Sequence, residues 1–250
     1  MGQAKEFRNQ NFVVDRLYQR ELPAGTIEDF GTRNTASALI GYGDPVGTTN
    51  VANICNTGRN IFEVANIGTQ SILAPAFSLS GYDIAFDQTN GDGVEITRGI
   101  TAKSPSAIVV GVENAFVEIT VKPANVVGIA NLAIGWRKTE GYQLDIDDYE
   151  ELCALNINGT VINRDTILGG GATTTTDTLE VMADQDVVTL RVEVLASGKC
   201  ICKVDGVEVL ASNEFSLDSG ENVVPFLYFT NAAGLVSKLN LQKWLDGPMI

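Results

Sequence analysis

From about residue 59 to its end the sequence is a succession of short alternating or apolar runs punctuated by turn residues, and that rhythm admits few folds. The runs are NIFEVANI, YDIAF, GVEITRGI, SAIVVGV, AFVEITV, LAIGW, YQLDI, LCALNI, TVIN, TLEVM, VTLRVEVL, KCICKV, VEVL, PFLYFT and SKLNLQKW. In VTLRVEV, Val188, Leu190, Val192 and Val194 fall on one face and Thr189, Arg191 and Glu193 on the other, the period of a half-buried strand. In KCICKV, Lys199, Ile201 and Lys203 share the solvent phase, while Cys200, Cys202 and Val204 share the core phase. Ala196-Ser197-Gly198 and Asp205-Gly206 turn the chain between these runs. No run of ten or more residues holds a helical period, so the expectation is an antiparallel sandwich or barrel. A chain of 250 residues is long enough to build one such domain with a sizeable core.

Residues 1–58 do not share this rhythm. FVVDRLYQREL (12–22) fits a short helix or an extended arm, and Pro23, Gly25, Gly41, Gly43, Pro45 and Gly47 interrupt the residues C-terminal to it. We read 1–58 as an N-terminal arm and irregular segment with one or two strands, and 59–250 as the β-domain. GGGATTTTD (169–177) reads as a flexible loop by composition.

The charge balance excludes whole classes of partner. Seventeen basic against thirty-one acidic residues leave a net charge of −14, which repels phosphate backbones and anionic headgroups, so neither nucleic acid nor a membrane is expected as a partner. The longest apolar runs, SAIVVGV (106–112) and VVGIANLAIGW (126–136), fall well short of the roughly 20 residues a membrane helix needs. The start, MGQAKEFRNQNFVV, matches neither a secretory signal nor a myristoylation site, and cytoplasmic synthesis is expected. Histidine is absent, which removes Ser-His-Asp, Cys-His and His-based zinc chemistry. The sequence offers no GxGxxG or Walker loop, and no cofactor is expected.

Four candidate sites remain. The cysteines Cys55, Cys153, Cys200 and Cys202 show no framework spacing and read as reduced thiols. Cys200 and Cys202 lie two apart on one strand face, near the ~7 Å Cα limit for a bridge and with parallel Cβ vectors, so they read as core packing. Zinc would need Cys55 and Cys153 to converge on them. DQTNGDGVE (87–95) crowds Asp87, Asn90, Asp92 and Glu95 around a glycine-rich turn; a tight turn selects these residues, and oxygen-only calcium ligation is the alternative. In DIDDYEE (145–151), Asp145, Asp147 and Glu150 stand at the spacing of the E-x-D-x-x-E motif of laminarinase-type glycoside hydrolases, with Asp145 in place of the nucleophilic Glu. A solvated acidic loop is the reading we adopt, and no catalytic residue is assigned. Asn158-Gly159 within NGT reads as a hairpin turn, and YFTNAAG (228–234) as a polar turn that would face ligand in a lectin.

DVVTLRVEVLASGKCICKVDGVEV (186–209), followed by VPFLYFTNAAGLVSKLNLQKWLDG (224–247), resembles the closing strands of concanavalin A-like, laminin G-like jelly rolls. The resemblance lies in the order: a strand, a G-K-x-x-x-x-V-D-G hairpin, a P-F strand ending in Asn, and a final strand ending in Trp. GYDIAFDQTNGDGVEITRGITAKS (81–104) and AFVEITVKPANVVGIANLAIGWRK (115–138) resemble segments of jelly-roll structural proteins of tailed bacteriophages. The resemblance implies an all-β, concanavalin A-like jelly roll with an N-terminal arm. It implies a capsid decoration (cement) protein, a virion structural protein on the capsid surface, bound to the major capsid protein and associating as a homo-oligomer, with a trimer favoured. A lectin-like carbohydrate-binding module of a phage tail or fibre is the alternative, and a laminarinase-type enzyme a more distant one.

Overall fold

The computed structural model describes residues 26–29, 51–56, 60–68, 73–78, 81–85, 91–102, 104, 106–232 and 238–249. Its strands, in chain order, are β1 (Thr26–Asp29), β2 (Val51–Asn56), β3 (Asn60–Ile67), β4 (Leu73–Ser78), β5 (Gly81–Ala85) and β6 (Gly93–Thr97). They continue with β7 (Ile108–Val109), β8 (Ala115–Pro123), β9 (Ile129–Lys138), β10 (Leu152–Asn158), β11 (Val161–Ile167) and β12 (Thr174–Val181). The last are β13 (Val188–Val194), β14 (Lys199–Val204), β15 (Val207–Val209), β16 (Phe215–Ser216), β17 (Asn222–Asn231) and β18 (Lys238–Pro248). No helix of the described residues is long and apolar enough to cross a membrane.

The strands form two antiparallel sheets, making the chain an all-β sandwich as the alternation predicts. The back sheet runs β15-β14-β13-β8-β18-β5-β4, with β1 beside β18 and β16 beside β14. The front sheet runs β12-β11-β10-β9-β17-β6-β3-β2, with β7 beside β17. Of the N-terminal 58 residues, Thr26–Asp29 pairs with Lys243–Asp246 in the back sheet and Val51–Asn56 pairs with β3 in the front sheet. FVVDRLYQREL lies outside the described residues.

The core is the set of side chains that alternation points inward. Val188, Leu190, Val192 and Val194 meet Leu132, Ile134 and Trp136 of β9 and Leu227 and Phe229 of β17, all buried. Each such side chain is worth roughly 1.5–3 kcal/mol in removal from water. Trp136 also donates its indole Nε1–H to the Val192 carbonyl at 3.1 Å, a polar tie from the front sheet to the back. The Asp205-Gly206 hairpin is present, with φ of 48° and 83°, the left-handed pair a two-residue turn requires.

Three sequence readings are corrected. YQLDI is not a strand: residues 139–151 form a loop over the outer face of the front sheet, with one 3₁₀ turn at Ile146–Asp148 capped by the Asp145 carboxylate. Its Ile146 and Tyr149 are buried there with Ala133, Leu152, Ala154, Ile167, Phe226 and Tyr228 in a second apolar cluster. The alternation of this run marks neither strand pairing nor one buried face: Ile146 is buried, while Leu144, in the same phase, is exposed. GGGATTTTD is a loop only as far as Thr173; Thr174–Asp177 opens β12, where Thr174 and Thr175 pair with Thr166 and Asp165. Within YFTNAAG, Tyr228–Asn231 closes β17 and is buried. The NGT hairpin is present, with Gly159 and Thr160 as its two loop residues.

Candidate functional site

The two outer faces differ in how their polar groups are engaged. The back sheet carries a self-compensated charge ladder. Arg191 pairs with Glu193 at 2.7 Å and Glu118 at 3.2 Å, Lys203 with Glu193 at 2.7 Å, and Lys243 with Glu118 at 3.3 Å. The Arg191 guanidinium also lies 3.9 Å from the Phe116 ring centroid. Such half-exposed pairs contribute about 0–1 kcal/mol each, and they leave few polar groups unengaged.

The outer face of the front sheet is built from the outward phase of β6, β9, β10, β11 and β17, and carries polar groups beneath the 139–151 loop. At one end Arg137 Nε meets Glu95 Oε1 at 2.5 Å, with both side chains fully buried. The Tyr149 hydroxyl donates to Glu95 Oε2 and accepts from the Gln143 N–H at 3.2 Å. Arg137 Nη1 donates to the carbonyls of Lys138, at 2.8 Å, and Glu140, at 3.2 Å. The guanidinium carbon lies 4.7 Å from the Tyr149 ring and 5.7 Å from that of Tyr142. This ion pair therefore pins the covering loop to the sheet.

Burial, followed by the neighbouring Glu95 charge, pushes the Tyr149 hydroxyl far above the usual phenol range. The unfolded chain loses this proton near pH 10 while the folded one keeps it, so the associated stability is full below that pH and falls as pH rises through it. Above pH 10 the stability of Tyr149→Phe is expected to fall less steeply, by up to about 1.4 kcal/mol per pH unit. Denaturation titrations at pH 9, 10 and 11 measure this, and equal slopes would refute it.

Further along the same face a polar row crosses three strands. Asn156 of β10 donates through Nδ2 to Asn131 of β9 at 2.9 Å and to Asp165 of β11 at 2.6 Å, while its Oδ1 accepts from the Leu132 N–H at 2.9 Å. Asn156 and Asp165 are buried; Asn131 and Asn163 are half-buried and Thr175 is exposed. Burial pushes the Asp165 carboxyl above its ordinary value, the hydrogen bond from Asn156 and the neighbouring Thr175 hydroxyl pull it back, and the Asp147 charge adds to the rise. Asp147 is exposed and accepts from the Thr173 hydroxyl at 2.7 Å. The Tyr228 hydroxyl donates to the Leu144 carbonyl at 2.8 Å, and Leu144 itself is 73% exposed at the rim.

The sequence candidates fall differently. Asp145 caps the 3₁₀ turn, Asp147 sits within it, and Glu150 pairs with Lys138 at 2.7 Å. With three residues per turn, positions two apart do not share a face, so Asp145 and Asp147 are not aligned as they would be along one side of a strand. Asp87 and Asn90 lie outside the described residues. Asp92 is buried, and both oxygens of Glu95 are engaged by Arg137 and Tyr149. Among the described residues no group of three or more acidic or thiol side chains is disposed to hold a metal ion. Arg137, Asn131, Asn156 and Asp165 were not singled out from sequence. Asn131 and Arg137 do stand in the outward phase of ANLAIGWR, the one signal that was available.

No family model matches the chain, and no curated protein matches it in sequence. Solved structures match it in fold. A protein of unknown function from Shewanella oneidensis MR-1 is similar with a TM-score of 0.55 at 12% identity, over 90% of this chain and 86% of that one. The carbohydrate recognition domain of Emp46p in its potassium-bound form is similar with a TM-score of 0.53 at 10% identity, over 76% of this chain and 89% of that one. Botulinum neurotoxin type C, in a structure whose subject is cell entry through two ganglioside molecules, is similar with a TM-score of 0.51 at 8% identity, over 93% of this chain and 50% of that one. At these identities the likeness is one of fold, the lectin-like, concanavalin A-like sandwich.

Proposed function

We propose that this chain is a carbohydrate-binding domain and that the outer face of the front sheet, at the Asn131–Asn156–Asp165 row, receives the sugar. The observation that carries the reading is the row itself: amide and carboxylate groups held by one another across three strands, open to solvent at Asn131, Asn163 and Thr175. Sugar hydroxyls both donate and accept, and they are discriminated by planar polar groups whose orientation is fixed before the ligand arrives. Asn156 and Asp165 supply that fixity, and Leu144 adds an exposed apolar surface at the rim for the C–H face of a ring. The fold shared with a carbohydrate recognition domain supports the reading by analogy.

The reading replaces capsid decoration as the one the molecule favours. A place on a phage particle, a trimer and contact with a major capsid protein rest on the sequence resemblance alone, and a glycan-binding module of a tail or fibre would accommodate that resemblance too. The test is a glycan array probed with the full chain, followed by titration of the best hit. Saturable binding to a subset of glycans is expected, with Asn131→Ala weakening it about tenfold, the effect of one lost hydrogen bond, at a melting temperature only a few degrees lower, the cost of the acceptor that the buried Asn156 amide loses. No glycan bound, together with sedimentation on capsid shells, would overturn this reading in favour of decoration.

A further inference from the structure

The inner faces hold a feature independent of the sugar-binding reading. Cys153 of β10 faces the back sheet, Cys200 and Cys202 of β14 face the front sheet, and all three are free and buried in one core cluster. Cys200 and Cys202 are the two neighbours that act most strongly on the Cys153 thiol. Strands β10 and β14 approach within 8 Å between Cα atoms, closer than the usual ~10 Å between stacked sheets. We propose that Cys153 forms a reversible inter-sheet disulfide with Cys200 or Cys202, with the third thiol left in contact so that the bond passes between the two β14 partners.

The alternatives are weaker on physical grounds. A Cys200–Cys202 bridge would join residues two apart on one strand face, at the Cα limit and with parallel Cβ vectors. A bound cation is disfavoured by the nearby Arg164 guanidinium, which is buried and donates to Asn213 at 2.6 and 3.0 Å, and whose charge is felt by Cys153 and Cys202.

The oxidant is a low-molecular-weight disulfide. One protein thiolate attacks a sulfur of the reagent and expels one small thiolate; the second protein thiolate then attacks the protein-bound sulfur and expels the other. The two protons lost by the cysteines leave on the two small thiols, so the reagent is reduced as the protein is oxidised. The neighbouring cysteine and, behind it, burial hold the Cys153 and Cys202 thiols well above the ordinary range, so the reaction waits on local opening. The opening is at hand, because among the described residues the outer edge of β14 pairs only with β15 and β16, of three and two residues.

The experiment incubates the full chain with oxidised glutathione and reads intact mass, thiol count after unfolding, and peptide maps. A loss of about 2 Da is expected, with two of the four thiols consumed, Cys153 linked to Cys200 or Cys202, and a melting temperature raised by roughly 5–10 °C that dithiothreitol reverses. Cys153→Ala abolishes the link, each of Cys200→Ala and Cys202→Ala retains it, and the pair together abolishes it. The double variant carries the same information should Cys153→Ala fail to fold. Four thiols still titrating, a Cys200–Cys202 link, a bond to Cys55, or glutathione stably retained in place of a protein link would overturn the proposal.

Discussion

Arg137→Met is expected to destabilise the protein by about 3–5 kcal/mol, because it removes one partner of a fully buried ion pair while leaving the other in place. The Glu95 carboxylate would keep only the Tyr149 hydroxyl, and the Lys138 and Glu140 carbonyls would lose their donor. A carboxylate stranded in that position takes up a proton or draws in water, and either outcome loosens the loop that Arg137 ties down. Methionine preserves much of the apolar stem of Arg137, so the loss measures the guanidinium's charge and hydrogen bonds, and its place over the Tyr149 ring, more than volume. Glu95→Gln in the same chain removes the stranded charge and is expected to recover a kcal/mol or more. Urea titrations of the single and double variants measure both quantities. An Arg137→Met chain within about 1 kcal/mol of the parent would mean that the pair is solvated and the loop is held by other contacts.

The sandwich was legible because its evidence is local. VTLRVEV and KCICKV state their own inward and outward phases, and Asp205-Gly206 states its own turn. YQLDI was misread because a short alternating run also occurs by chance in a loop: Ile146 is covered by a sheet face with which its backbone does not pair, while Leu144, in the same phase, faces solvent. Thr174–Asp177 was misread because loop-like composition in GGGATTTTD outweighed the β-propensity of four threonines, and a sheet edge settled the matter. The site was the least legible part for a physical reason. Arg137 and Glu95 are 42 residues apart, Cys153 and Cys200 are 47 apart, and the row draws on β9, β10 and β11. Each residue's phase was readable in its own strand, but which strands lie side by side, and which face each other across the core, is fixed only by the completed fold.

Gly135→Ala is expected to be comparably costly, about 3–5 kcal/mol, and to connect stability with both proposed activities. Gly135 lies in the middle of β9, between Ala154 of β10 and Phe226 of β17. A methyl group there would stand 2.1 Å from the Cys153 carbonyl oxygen and 2.6 Å from the Ala154 Cα. Both obstacles are backbone, so no side-chain rotation relieves them. Neither can β9 slide away, because the next residue, Trp136, is tied across the core to Val192, and the one after, Arg137, is locked to Glu95. The strain therefore falls on the β9–β10 pairing, which positions Asn156 against Asn131 on the outer face and Cys153 against β14 on the inner one. Gly206→Ala is the control: its turn has open space around it, so only the left-handed backbone is strained, at a cost of about 1 kcal/mol. Side-by-side denaturation of the two variants separates close packing from backbone conformation, and equal losses would mean that β10 yields to the methyl group. With the larger loss at Gly135, glycan affinity and the Cys153 cross-link are expected to decline together, since one strand pairing holds the parts of both.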